Sequence, residues 1–145
     1  MAAKWLTVLP ALLLAVLLCA TSTGAAPALV SETAKEQIAH AVAAECPEAS
    51  FGVQIALAAV ILHRMEQNGL TAAQVIWSAD FLACTDTGRI ARPPEEKILA
   101  QAKAAVGYAI DGLDPTGGAL GYGGGDTGRT LRSVWYADGG YVFGE

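Results

Sequence analysis

Among the acids of this 145-residue chain, Glu45 is the most oddly placed. Ile38, Ala41 and Val42 recur at helical spacing, and Glu45 follows them by seven, four and three residues, on the same face. A carboxyl held against an apolar wall is favoured in its neutral form, and the negative end of a helix acts in the same direction. A neutral carboxyl near pH 7 is what general-acid chemistry requires. The bland alternative is an acid near a helix end whose head reaches solvent. Nothing else competes strongly. His40 and His63 are far apart, and no cysteine–histidine spacing of the metal-binding kind occurs, so neither a metal nor a cofactor is expected. The glycine-rich tail has no following helix start and no Gly-Lys-Ser/Thr, which argues against a phosphate loop.

The elements that must position Glu45 are readable from the pattern. Thr33-Ala34-Lys35-Glu36 reads as a capping box, with Thr33 at the N-cap of a helix from Ala34 to Cys46 that Pro47 ends. A second helix, Phe51 to Gln67 with Ser50 as N-cap, is apolar nearly all round, which predicts a central, buried position. Asn68-Gly69 stops it, and Thr71 caps a short helix from Ala72 to Ser78. Ala79 to Pro94 reads as a loop. Pro93-Pro94-Glu95-Glu96 opens a third long helix, lined inwardly by Ile98, Ala102, Ala105, Val106 and Ala109 and closed at Gly112. The remaining residues interleave glycines with Tyr122, Trp135, Tyr136, Tyr141 and Phe143, the pattern of short strands and turns. Trp135 and Tyr136 are adjacent and point oppositely in a strand, so at most one faces a cleft. No internal repeat or disordered linker is evident.

The first 28 residues stand apart. Lys4 precedes an apolar stretch, Trp5 to Ala20, and then small residues from Thr21 to Ala28, the order of a secretory signal peptide. At about 16 residues, with Pro10 inside, the apolar run is short for a membrane span. The expectation is an exported protein, cell-wall associated or extracellular, touching a membrane only if this segment is retained. Beyond it remain Cys46 and Cys84, a candidate disulfide that would close a loop of about 37 residues, worth about 3–4 kcal/mol. Two free thiols are the alternative. Without Lys4 the balance is 8 basic against 14 acidic residues. That excess argues against nucleic acid and against an anionic membrane surface as partners.

Glu45, the run Gln54-Ile55-Ala56-Leu57-Ala58-Ala59-Val60-Ile61-Leu62-His63-Arg64, Val75-Ile76 with Phe81, and Asp114-Pro115-Thr116-Gly117-Gly118-Ala119-Leu120 follow one another as in the SleB-type cell-wall hydrolases. The chain resembles this family of spore cortex-lytic enzymes from about Thr33 to Phe143. Its members typically read Gln-Val-Ala-Val-Ala-Ala-Val-Ile-Leu-Asn-Arg on the central helix and Asp-Pro-Thr-Gly-Gly-Ala-Leu-Tyr-Tyr before the strands. The resemblance implies a mainly α, lysozyme-like α+β domain over residues 31–145, with a central buried helix and a small C-terminal sheet. It also implies a monomer that cleaves peptidoglycan glycan strands between MurNAc and GlcNAc by lytic transglycosylase chemistry. Glu45 matches the family's catalytic glutamate. Gln54, Asp80, Tyr122, Thr116, Gly118 and Ala119 are the residues expected to line the cleft.

The sequence also departs from the family. Cys46-Pro47-Glu48-Ala49 stands where Ala-Arg-Gly-Glu is usual, so a one-residue slip brings Glu48 to the second glutamate. Asp80 replaces a glutamine, His63 an asparagine and Gly121 the first tyrosine, and the glycines after Tyr122 are expected to loosen that strand. His63 and Arg64 read as structural, Arg64 bonding carbonyls or an acid near the helix end. Two other functions stay open on these departures: a glycan-binding or interaction protein with weak or no catalysis, and a two-carboxylate hydrolase using Asp80 with water.

Overall fold

The computed structural model describes residues 29–78, 81, 93–124 and 130–145. The expected signal segment, Asp80, Cys84 and nearly all of the expected loop from Ala79 lie outside them.

Helix α1, Glu32–Glu45, begins two residues earlier than the sequence predicts. Ser31 is its N-cap: its backbone is extended and its Oγ accepts from Ala34 N–H at 3.1 Å. Thr33 is already inside the helix and Glu36 closes no capping box. Instead Glu36 pairs with Lys103 at 2.9 Å, a residue on a later helix. Two hydroxyl residues, Ser31 and Thr33, can serve as the cap, and the one with the extended backbone does so. The helix ends at Glu45, with Cys46 N–H bonded to Val42 O at 3.0 Å and Pro47 beyond.

Helix α2, Phe51–Asn68, forms as predicted, capped by Ser50, whose Oγ accepts from Val53 N–H at 3.3 Å. Every residue from Val53 to Ile61 is buried, so the helix is enclosed on all sides over that stretch. Gly69 stops it in the left-handed conformation, φ 62°, which residues with a Cβ rarely adopt. The short α3, Ala72–Ile76, carries a full capping box between Thr71 and Gln74. Helix α4, Glu96–Ile110, turns Ala102, Ala105, Val106 and Ala109 inward and packs against both α2 and α1. It ends in a Schellman arrangement, Leu113 N–H reaching Tyr108 O at 3.0 Å.

Strands β1 (Gly121–Gly124), β2 (Val134–Asp138) and β3 (Tyr141–Gly144) form an antiparallel sheet in the order β1-β3-β2. Gly139 and Gly140 make the hairpin turn between β2 and β3. The glycines of β1 do not loosen it: Gly121 to Gly124 pair residue for residue with Gly144 to Tyr141. A Cβ on Gly121 would come within 3.1 Å of Leu131 Cδ2 and 3.3 Å of Gly144 O. Close approach is what these glycines allow. Tyr122 and Phe143, both fully buried, join the sheet to the helical core. The architecture is the expected mainly helical α+β one.

The cap assignment is testable by chemical denaturation. Ser31→Ala is expected to destabilise the domain by about 1 kcal/mol, while Thr33→Ala, a substitution within the first turn, changes stability by less than half as much. Equal effects would contradict the Ser31 cap.

Candidate active site

Glu45 occupies the last position of α1 and is partly buried. The hydroxyl of Tyr122, from β1, donates a hydrogen bond to its Oε1. The two residues are 77 positions apart, so this bond ties the helical layer to the sheet. Tyr122 is itself held on two sides. Its ring stacks on Phe143 at 6.4 Å between centroids and leans on Phe81 at 5.5 Å. The Arg64 guanidinium lies over the Phe81 ring, 5.8 Å from its centroid, and Arg64 Nε donates to Leu120 O at 2.5 Å. An aromatic frame thus aims a phenol at the carboxyl.

The Asp114 to Leu120 string is a self-contained turn. Asp114 Oδ1 accepts from Thr116 N–H at 2.8 Å and from Thr116 Oγ1 at 2.6 Å, and Oδ2 accepts from Gly118 N–H at 2.7 Å. Thr116 Oγ1 in turn accepts from Ala119 N–H at 3.0 Å. Thr116 and Ala119 are buried. The amide protons of Thr116, Gly118 and Ala119 are therefore all engaged within the turn, and these residues hold its shape. Burial pushes the Asp114 carboxyl up. The hydrogen bonds from Thr116 and Gly118, with His63 nearby, outweigh it and hold the group below the ordinary aspartate value. His63 Nδ1 faces Ala119 O at 3.3 Å and Nε2 lies 3.6 Å from Asp114 Oδ2. Consecutive residues of α2, His63 and Arg64, thus fasten the turn to the central helix, the structural role read from the sequence.

Gln54 is 1% exposed, and its Oε1 meets no hydrogen-bond donor among the described residues. Such a buried acceptor costs about 1–3 kcal/mol if left dry. Cys46 is fully buried beside Glu45. Burial, and then the neighbouring carboxylate, push its thiol up, which keeps it neutral and unreactive. It is in no disulfide among the described residues, and Cys84 lies outside them. Glu48 is exposed on the turn after α1. Asp80 lies outside the described residues. Trp135 is exposed at the irregularity where β2 shifts its register on β3 between Val134 and Tyr136, whereas Tyr136 packs on Phe143 at 5.7 Å. No cluster of three or more potential metal ligands occurs among the described residues.

Sequence reasoning picked out Tyr122 but assigned it to substrate; the bond to Glu45 is its visible partner here. It gave Phe81 no role beyond carrying the resemblance.

The fold and this site define a small α+β domain with a glutamate closing its first helix against a sheet tyrosine. Among solved structures it is similar to the catalytic domain of the Bacillus cereus SleB protein, at 32% identity and a TM-score of 0.66. That likeness covers 81% of this chain and 93% of the other. It is also similar to the catalytic domain of the germination-specific lytic transglycosylase SleB from Bacillus anthracis, at 34% identity and a TM-score of 0.64. There the coverage is 79% of this chain and 96% of the other. Neither a protein-family model nor a curated protein matches the chain. The chain belongs to the SleB family.

The turn makes a pH prediction. A carboxyl held below its unfolded value stabilises the fold above about pH 4 and loses that contribution as pH falls through the lowered folded value. Asp114→Asn is expected to be less stable than wild type by about 1–2 kcal/mol at pH 7, with the gap closing as pH falls below about 4. Thermal melts across pH check it; a gap that does not change with pH would contradict it.

Proposed function

We propose that this protein is an exported lytic transglycosylase that cuts the MurNAc–GlcNAc strands of peptidoglycan, with Glu45 as its only acid/base. The observation that carries the reading is the Tyr122 bond that fixes the Glu45 carboxyl at the end of α1. It stands in a chain one-third identical to a lytic transglycosylase domain. Residues 1–28 serve as the export signal in this reading, and 31–145 as the catalytic domain.

One carboxyl is enough for this reaction. The Glu45 acid gives its proton to the glycosidic oxygen as the bond to the muramic anomeric carbon breaks, and GlcNAc leaves with that proton. The electron-poor anomeric carbon is then attacked by the 6-hydroxyl oxygen of the same muramic ring. Glu45, now a carboxylate, takes the hydroxyl proton and returns to its starting state. The product is a 1,6-anhydro end, and no water enters. Two-carboxylate glycosidases instead need a second carboxylate to bind the sugar or activate water. Tyr122 contributes by orienting the carboxyl rather than by touching sugar. Gln54 and the face of the Asp114 turn line the cleft in this proposal, together with Asp80.

Glu45→Gln is expected to lower muropeptide release from purified sacculi by about 10²–10⁴-fold. Tyr122→Phe, which keeps the ring but removes the donor, is expected to lower it about tenfold with the melting temperature little changed. Mass spectrometry of the products is the decisive readout. Reducing ends in place of 1,6-anhydro ends would favour a water-using reaction through Asp80. No release by wild type would favour a glycan-binding protein.

A further inference from the structure

Asn68 is the single asparagine of the chain, and Gly69 follows it. That pair has a chemistry of its own. A backbone nitrogen can attack the side-chain carbonyl carbon of the asparagine before it, and a glycine, with no Cβ, leaves the approach clear. The Gly69 nitrogen bonds to Asn68 Cγ and gives up its proton to solvent. The bond from Cγ to Nδ2 breaks, and the amide nitrogen takes up a proton and leaves as ammonia. Water then opens the five-membered succinimide at either carbonyl, which leaves aspartate or isoaspartate at position 68. Water and a base in solution are the co-reactants.

The fold presents this pair to solvent. Asn68 is the last residue of α2, and both it and Gly69 are exposed. Beyond its own chain neighbours, nothing lies within 4 Å of the place a Gly69 Cβ would take, so water reaches the reacting atoms. Two bonds oppose ring closure. The Gly69 N–H is given to Met65 O, and Asn68 Nδ2 donates to Arg64 O at 3.1 Å. Both belong to the last turn of α2, and helix ends fray before enclosed segments open. The reaction therefore waits on that turn and not on the core.

The position also couples the change to the strand that holds Tyr122. Arg64 lies one turn before Asn68 on the same face of α2, and its Nε donates to Leu120 O, two residues ahead of Tyr122. An aspartate at position 68 cannot donate to Arg64 O, and it sets a negative charge against the negative end of the helix. A guanidinium one turn away relieves that charge, and a carboxylate is a stronger acceptor for it than a carbonyl. Arg64 is then drawn off Leu120, and the start of β1 loses a tie. We propose that Asn68 is a deamidation site whose conversion withdraws Arg64 from the strand carrying Tyr122.

Peptide mass spectrometry of the full chain during incubation at mildly alkaline pH tests the first half, with a denatured sample run beside it. Conversion at Asn68 is expected in the folded protein, with aspartate and isoaspartate forms both present. A folded protein that stays unconverted while the denatured chain converts overturns the site. Asn68→Asp supplies the product directly and tests the second half. It is expected to melt about 2–4 °C below wild type and to shift the NMR signal of the Arg64 Nε–H. An Arg64 signal identical in the two proteins overturns the coupling. Neither readout depends on glycan cleavage, so failure of the Glu45 mechanism leaves both results interpretable.

Discussion

The bond from the Tyr122 hydroxyl to Glu45 is the constraint on which the rest of this structure turns. A carboxyl at the end of a helix has a frayed backbone behind it and several rotamers open to it. The mechanism proposed for Glu45 tolerates neither, because a misplacement of about 1 Å can cost on the order of a hundredfold in rate. The sheet solves the problem by bringing a phenol from the far end of the sequence. That in turn requires β1 to lie against the helices, Tyr122 to be packed between Phe81 and Phe143, and the turn ahead of β1 to be held in place.

Helix α2 supplies the fixed reference for that arrangement. Its stretch from Val53 to Ile61 is enclosed, so its position is set by packing on every side. The turns beyond emerge and offer His63 and Arg64 to the turn and to the start of β1. One rigid element therefore sets both the core and the register of the strand that carries Tyr122. The turn adds its own stiffness through Asp114, whose carboxylate gathers three hydrogen bonds from Thr116 and Gly118. The signature string is thus a bracket for the neighbouring strand more than a surface for chemistry.

Much of this was legible in the sequence because it is local. Helical spacing set α2 and α3 to within two residues and α4 to within three, and the phase of Glu45 against Ile38, Ala41 and Val42 exposed it as an anomaly. The N-cap was misplaced because Thr33 with Glu36 fits the capping pattern as well as Ser31 does, and only the backbone conformation at Ser31 decides. The pairing of Tyr122 with Glu45 was out of reach, since it depends on how a sheet docks on helices across 77 residues. The glycines of β1 misled for a related reason. Absence of a side chain reads as slackness along a sequence, yet the neighbours Leu131 and Gly144 make it a tight fit.

Cys46 gives the site an internal clock. Its thiol is sealed in the core, one residue past the acid, and kept protonated there. Alkylating reagents attack the thiolate, so they meet this sulfur only when the end of α1 comes loose. The rate at which it is alkylated under native conditions then counts how often the end of α1 opens, with no residue of the protein changed to report it.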